Sequence, residues 1–87
     1  MRIISQGGNA DLPYEEIALC MACEDIIARH NDKEYLMARY STMDKAKKAM
    51  EMLHITYKGN KVEEVYQEGT NYYHPTFQFP DDEDVKV

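Results

Sequence analysis

The sequence has no tryptophan, only two phenylalanines, and no run approaching the roughly 20 consecutive apolar residues of a membrane span. Met1–Gln6 also lacks the long apolar stretch of a secretory signal peptide, so a cytoplasmic protein is expected. There is no nucleophile motif, no paired-carboxylate arrangement and no phosphate-cradling loop. Gly7-Gly8 is an isolated pair without the later Lys-Ser/Thr of such a loop. No internal repeat or linker divides the 87 residues, which is the length of one small domain. A chain this short has little material to enclose a water-excluding pocket, so the expectation is a protein that is not an enzyme and needs no cofactor.

Basic charge is scarce where it would matter for nucleic acid. The formal net charge is −6. Residues 1–60 carry 8 Lys/Arg against 9 Asp/Glu, whereas residues 61–87 carry 2 against 7, which concentrates the excess in the C-terminal third. Direct nucleic-acid binding requires a basic patch that displaces counterions, and this balance argues against it. An acidic segment suits a basic protein surface or serves solubility.

What the chain has in abundance is tyrosine, seven residues, and methionine, six, which supply most of its larger apolar volume. Its clearest local signal is residues 42–58. Met43, Ala46, Met50, Leu53 and Tyr57, with Ala49 beside them, form one apolar helical stripe. Asp44, Lys45, Lys47, Lys48 and Glu51 fall opposite, with Asp44 and Lys48 at the favourable i,i+4 spacing. Ser41 with Asp44 approximates a capping box, and Gly59-Asn60 supplies a stop signal.

The N-terminal half is less decided. Met1–Gln6 reads as a short strand ended by the Gly7-Gly8-Asn9 turn. Residues 15–31 admit two readings. As a helix, they have Pro13 near the start and Glu15-Glu16 in the first turn. As strands, Ile17, Leu19, Met21 and Cys23 alternate with Ala18, Cys20 and Ala22, Glu24-Asp25 turns into 26–30, and Asn31-Asp32-Lys33 turns into 34–40. A lone strand at 34–40 would be unstable, and the amphipathic helix needs a sheet to cover, so both considerations favour strands. Residues 61–70 are strongly polar with weak helical periodicity. Phe77 and Phe79 share a face of a short edge strand that Pro80 ends.

The order of these pieces resembles a family of small phage and prophage proteins of Gram-positive bacteria. The residues that carry the likeness are Met1–Gln6, Asp11-Leu12-Pro13-Tyr14-Glu15, Tyr40-Ser41-Thr42 with Lys45-Ala46 and Lys48–Leu53, and Phe77-Gln78-Phe79-Pro80 before an acidic end. The stretches 16–39 and 60–75 carry none of it. The resemblance implies strand hairpins in the first of these and a phage-derived product working in the bacterial cytoplasm. The family has no assigned activity, so no catalytic residue follows from it.

Residue clusters with chemical potential are few. Cys20 and Cys23 have C-x-x-C spacing, but neither a helix start nor a second ligand pair accompanies them. On a strand they would face opposite ways, so the expectation is two buried, inert thiols. His30, His54 and His74 are dispersed, and no metal site is expected. Asp81-Asp82-Glu83-Asp84 lacks the spacing and turn glycine of a calcium loop. Tyr66, Tyr72 and Tyr73, together with Asp81, Asp82, Glu83 and Asp84, make the candidate interaction surface, because tyrosine combines an apolar face with a hydrogen-bonding tip. Lys45, Lys47 and Lys48 read as a solubilising face.

The expected fold is α+β: an antiparallel meander of about four to five strands with one helix, residues 42–58, packed on one face. Residues 1–80 form the domain and 81–87 an acidic, flexible tail. The expected role is non-enzymatic: a phage or prophage accessory protein that contacts a host or phage protein, or self-associates. Rival readings are an acidic decoy for a nucleic-acid-binding protein and a zinc or redox module using Cys20 and Cys23.

Overall fold

The computed structural model describes residues 1–66 and 76–87, with side chains outside 59–75. Its architecture is α+β: six strands in two three-stranded sheets, with one helix, among the described residues. The strands are β1 (Arg2–Ile4), β2 (Asp11–Pro13), β3 (Ala18–Ala22), β4 (Asp25–His30), β5 (Lys33–Arg39) and β6 (Thr76–Gln78), and the helix is α1 (Met43–Tyr66). Strands β3, β4 and β5 form an antiparallel meander in that order, and the second sheet runs β2-β1-β6. No helix among the described residues is long and apolar enough to cross a membrane.

The expected single meander of four to five strands is therefore divided, and local chemistry explains where. Gly8, at φ 79°, donates its amide to the Ser5 carbonyl and folds β1 back on β2 rather than on toward β3. Pro13 then ends β2, and a single 3-10 turn at Tyr14–Glu16 interrupts the extended chain before Ala18. The strand reading of 17–40 holds. Leu19 and Met21 are half-buried, while Ala18, Cys20 and Ala22 are exposed. The first hairpin turns at Cys23-Glu24, one residue earlier than expected, with Cys23 at φ 58°. The second turns at Asn31-Asp32, both at positive φ, as a two-residue hairpin twisted like its strands requires. A bulge between Ile26 and Ile27 doubles β5 against β4, so that Met37 and Ala38 are both buried.

The core lies between the meander and α1. Ala46, Ala49 and Leu53 from the expected stripe are fully buried, as are Ile3, Ile26 and Ala28. The two alanines let the helix axis approach the sheet closely. Thr42, not Ser41, caps the helix: its hydroxyl accepts from the Lys45 amide at 3.2 Å. Gly59-Asn60 does not stop the helix, which continues to Tyr66. A mid-helix glycine costs about 1 kcal/mol relative to alanine, which flanking helix-formers of the Lys and Glu type offset. Lys48 pairs with Glu51 at 3.7 Å rather than with Asp44. Tyr57 packs against Tyr14, with ring centroids 4.7 Å apart.

Strand β6 lies at a sheet edge as expected, parallel to β1, with Ile3 opposite Phe77. The stretch beyond it, expected as a tail, packs: Val85 is 2% exposed within the core, after a 3-10 turn at Asp82–Asp84. A single valine among charges carries no periodic signal, which is why the stretch reads as solvated.

Gln6 joins the two sheets. Its amide donates to the Met37 carbonyl at 2.7 Å, and its side-chain Oε1 accepts from the Arg39 amide at 3.1 Å. Main chain and side chain together thus imitate a strand partner along the outer edge of β5. Its Nε2 donates to the Pro80 carbonyl at 3.1 Å, which also accepts from the Tyr40 hydroxyl at 2.8 Å. Gln6→Ala deletes the two side-chain bonds and leaves the Arg39 amide without its acceptor. The expected loss is about 2 kcal/mol, read as a lower urea midpoint at unchanged slope. A change within about 0.5 kcal/mol would show that the stitch is dispensable.

Candidate interaction surface

The residues expected to form an interaction surface separate into three groups. Tyr72 and Tyr73 lie outside the described residues, and Tyr66 is the last residue of α1. Asp81, Glu83 and Asp84 are exposed. Asp82 is engaged within the chain. Its carboxylate accepts from the Ser41 amide at 2.7 Å, the Ser41 hydroxyl at 3.1 Å and Lys45 Nζ at 3.1 Å. Lys45 Nζ also donates to the Asp82 carbonyl at 2.9 Å, so this lysine is a clamp and not part of a free basic face.

These contacts set the titration of the region. The Ser41 backbone amide, followed by Lys45 and the Ser41 hydroxyl, holds the Asp82 carboxyl below the usual carboxylate range against a smaller desolvation effect. Burial, with Asp82 and Asp81 nearby, pushes the Tyr40 phenol upward, which keeps its hydroxyl a donor to Pro80.

The thiols differ from expectation. Both Cys20 and Cys23 are exposed, Cys20 on the outer side of β3 and Cys23 in the first hairpin turn. Ala18, Cys20 and Ala22 stand together on the solvated face of β3. Among the described residues, no three His, Cys, Asp or Glu side chains gather as a metal site would require. His30 is half-buried, His54 is exposed on α1, and His74 lies outside the described residues.

The surface that pattern reading missed is the outer face of the meander, opposite α1. Strand register places Cys20, Ile27 and Leu36 in one row across β3, β4 and β5. Leu36 is 49% exposed, one of the few large apolar side chains so open among the described residues. On one side of this row, Ala18, Arg29 and Glu34 line up, with Arg29 and Glu34 joined in an ion pair. On the other side, Ala22, Asp25 and Arg39 line up. Arg39 donates to both Asp25 oxygens, at 2.9 and 3.2 Å, and this holds the Asp25 carboxyl below its ordinary range. A stripe of apolar groups is thus flanked by two ion pairs of opposite order. Cross-strand register is the only signal that would have found it, and register depends on where the hairpins turn.

A groove of about 480 Å³ runs between β5 and the 6–10 loop, lined by Gln6, Asn9, Ala10, Tyr35 and Leu36 among others. Compared with protein-family models, with curated proteins and with solved structures, the chain gives no match.

The Asp82 clamp carries a pH signature. Its folded-state pKa is depressed, so its contribution is present in full above the unfolded carboxylate value of ~3.9 and is lost as pH falls through the folded value. Asp82→Asn removes that contribution at neutral pH. Thermal melts should show the wild type ahead by a gap that narrows between about pH 5 and about pH 2. A gap that does not change with pH would mean that the charge on Asp82 is immaterial.

Proposed function

We propose that this chain is a small, non-enzymatic phage or prophage accessory protein that acts in the bacterial cytoplasm through contact with another protein chain. The observation that carries this reading is the open meander face, with its apolar row Cys20-Ile27-Leu36 between two ion pairs. Protein interfaces commonly place an apolar centre within a polar rim. The sequence resemblance to phage and prophage proteins supplies the biological context.

A second reading is favoured by one specific observation. Asp81, Glu83 and Asp84 are exposed around the docked Asp82, an arrangement suited to the basic site of a nucleic-acid-binding protein. Such a decoy depends on long-range charge, and its binding collapses with salt. Truncation after Pro80 also removes Val85 from the core, so substitution is the cleaner probe.

Tagged protein incubated with nuclease-treated lysate of a Gram-positive host separates the two readings. An interaction through the meander face retains a protein partner, or a second copy of the chain, at raised salt, and Leu36→Glu abolishes the capture. The decoy predicts instead capture lost in salt and in the Asp81→Asn, Glu83→Gln, Asp84→Asn triple variant. Capture that survives both sets of substitutions would contradict both readings.

A further inference from the structure

We propose that the outer face of the meander is self-complementary and pairs with the same face of a second copy of this chain, about a two-fold axis lying along the Cys20-Ile27-Leu36 row. The proposal rests on the reading of this face as an interaction surface and names its occupant.

Two faces related by a two-fold axis along that row place each strand over its own counterpart, running in the opposite direction. Cys20, Ile27 and Leu36 then lie over their own copies. The two flanking rows exchange places, so Arg29 lies over Asp25 of the second copy and Glu34 over its Arg39, with both contacts repeated by symmetry. Each end of the interface becomes a ring of four alternating charges, built from one intrachain ion pair on each copy. Ala18 and Ala22 also lie over one another, and their small side chains permit close approach.

Turning the axis along the strands destroys this match. Arg29 would then lie over its own copy, and like charges brought together disfavour the arrangement. The pattern thus selects one orientation. Pairing between packed sheets at a small angle is the ordinary aligned geometry.

The face is small, about 10 Å across three strands and about 14 Å along β3. This is well below the ~800 Å² per partner of a standard interface, so the dimer dissociates on dilution. Interconversion falls in the range from about 10 µM to about 1 mM, where sedimentation equilibrium reads it directly.

Exchanging ion pairs within the chain tests the orientation while preserving every intrachain pair. The variant Arg29→Glu with Glu34→Arg keeps its own ion pair but lays the new carboxylate over Asp25 of the second copy and the new guanidinium over its Arg39. Adding Asp25→Arg and Arg39→Asp restores opposite charges at all four positions. Sedimentation equilibrium of the full chain should show the wild type approaching twice the monomer mass, the two-site variant weakened at least tenfold, and the four-site variant dimeric again. Circular dichroism spectra that superpose for all three would certify the fold. Cross-linking of the Cys23→Ser variant by a short bis-maleimide gives a second reading, since Cys20 meets its own copy at the axis and a covalent dimer is expected. A wild type that stays monomeric to about 1 mM, or a dimer indifferent to the exchanges, as pairing along the open β3 edge would be, overturns the proposal. Neither result bears on capture of a different protein from lysate, so this idea can fail while the broader reading stands.

Discussion

The Gln6 side chain is the contact on which the rest of the molecule depends. The two three-stranded sheets share one buried apolar cluster with α1, and Gln6 adds the polar stitch between them by extending the edge of β5 with its backbone amide and side-chain carbonyl. The same residue reaches the Pro80 carbonyl, so the start of the chain, the last strand of the meander and the C-terminal segment meet at one point. The contact also has a protective consequence. An unpaired strand edge invites pairing with other chains, and Gln6 covers the Met37–Arg39 end of the β5 edge.

The C-terminal segment completes the assembly. After β6, the Phe79 amide continues the pairing by donating to the Ile4 carbonyl, Asp82 anchors to Ser41 and Lys45 at the start of α1, and Val85 enters the core. Buried Ser5 performs a comparable service at the first turn, where its hydroxyl accepts from the amides of Asn9 and Ala10 and donates to the Asn9 side chain. Polar side chains therefore substitute for apolar area in a domain whose core is modest.

Local pattern carried part of this fold plainly. Alternation through residues 17–22, the Asn31-Asp32 turn and the Ala46-Ala49-Leu53 part of the helical stripe appear in the structure as their periodicity implies, whereas Cys23 turns out of the row and Met43 is 49% exposed. Features set by contacts distant in sequence did not show. The place of β6 in the second sheet depends on its pairing with β1, more than 70 residues away. The continuation of α1 past Gly59 reflects the small cost of one glycine against the helix around it. Val85 was hidden by its charged neighbours, and the exposure of Cys20 depends on which face of β3 the helix covers. The meander face is the strongest case. Its residues are individually ordinary, and its charge order exists only once Asp25 stands opposite Arg39 and Arg29 opposite Glu34. Of the acidic and tyrosine-bearing surface expected from composition, Asp82 proves to be bound within the chain, while its three acidic neighbours remain exposed.

Native-state hydrogen exchange on the isolated protein tests the central claim, that Gln6 and the C-terminal segment unite the two sheets into one cooperative unit. The amides of Gln6, Arg39 and Ser41 should exchange only through global unfolding, with the same opening free energy as the Ile26 amide in the middle of the meander. If Gln6 and Ser41 exchanged through a low-energy local opening while Ile26 stayed protected, the sheets would be separate units and the account would fail.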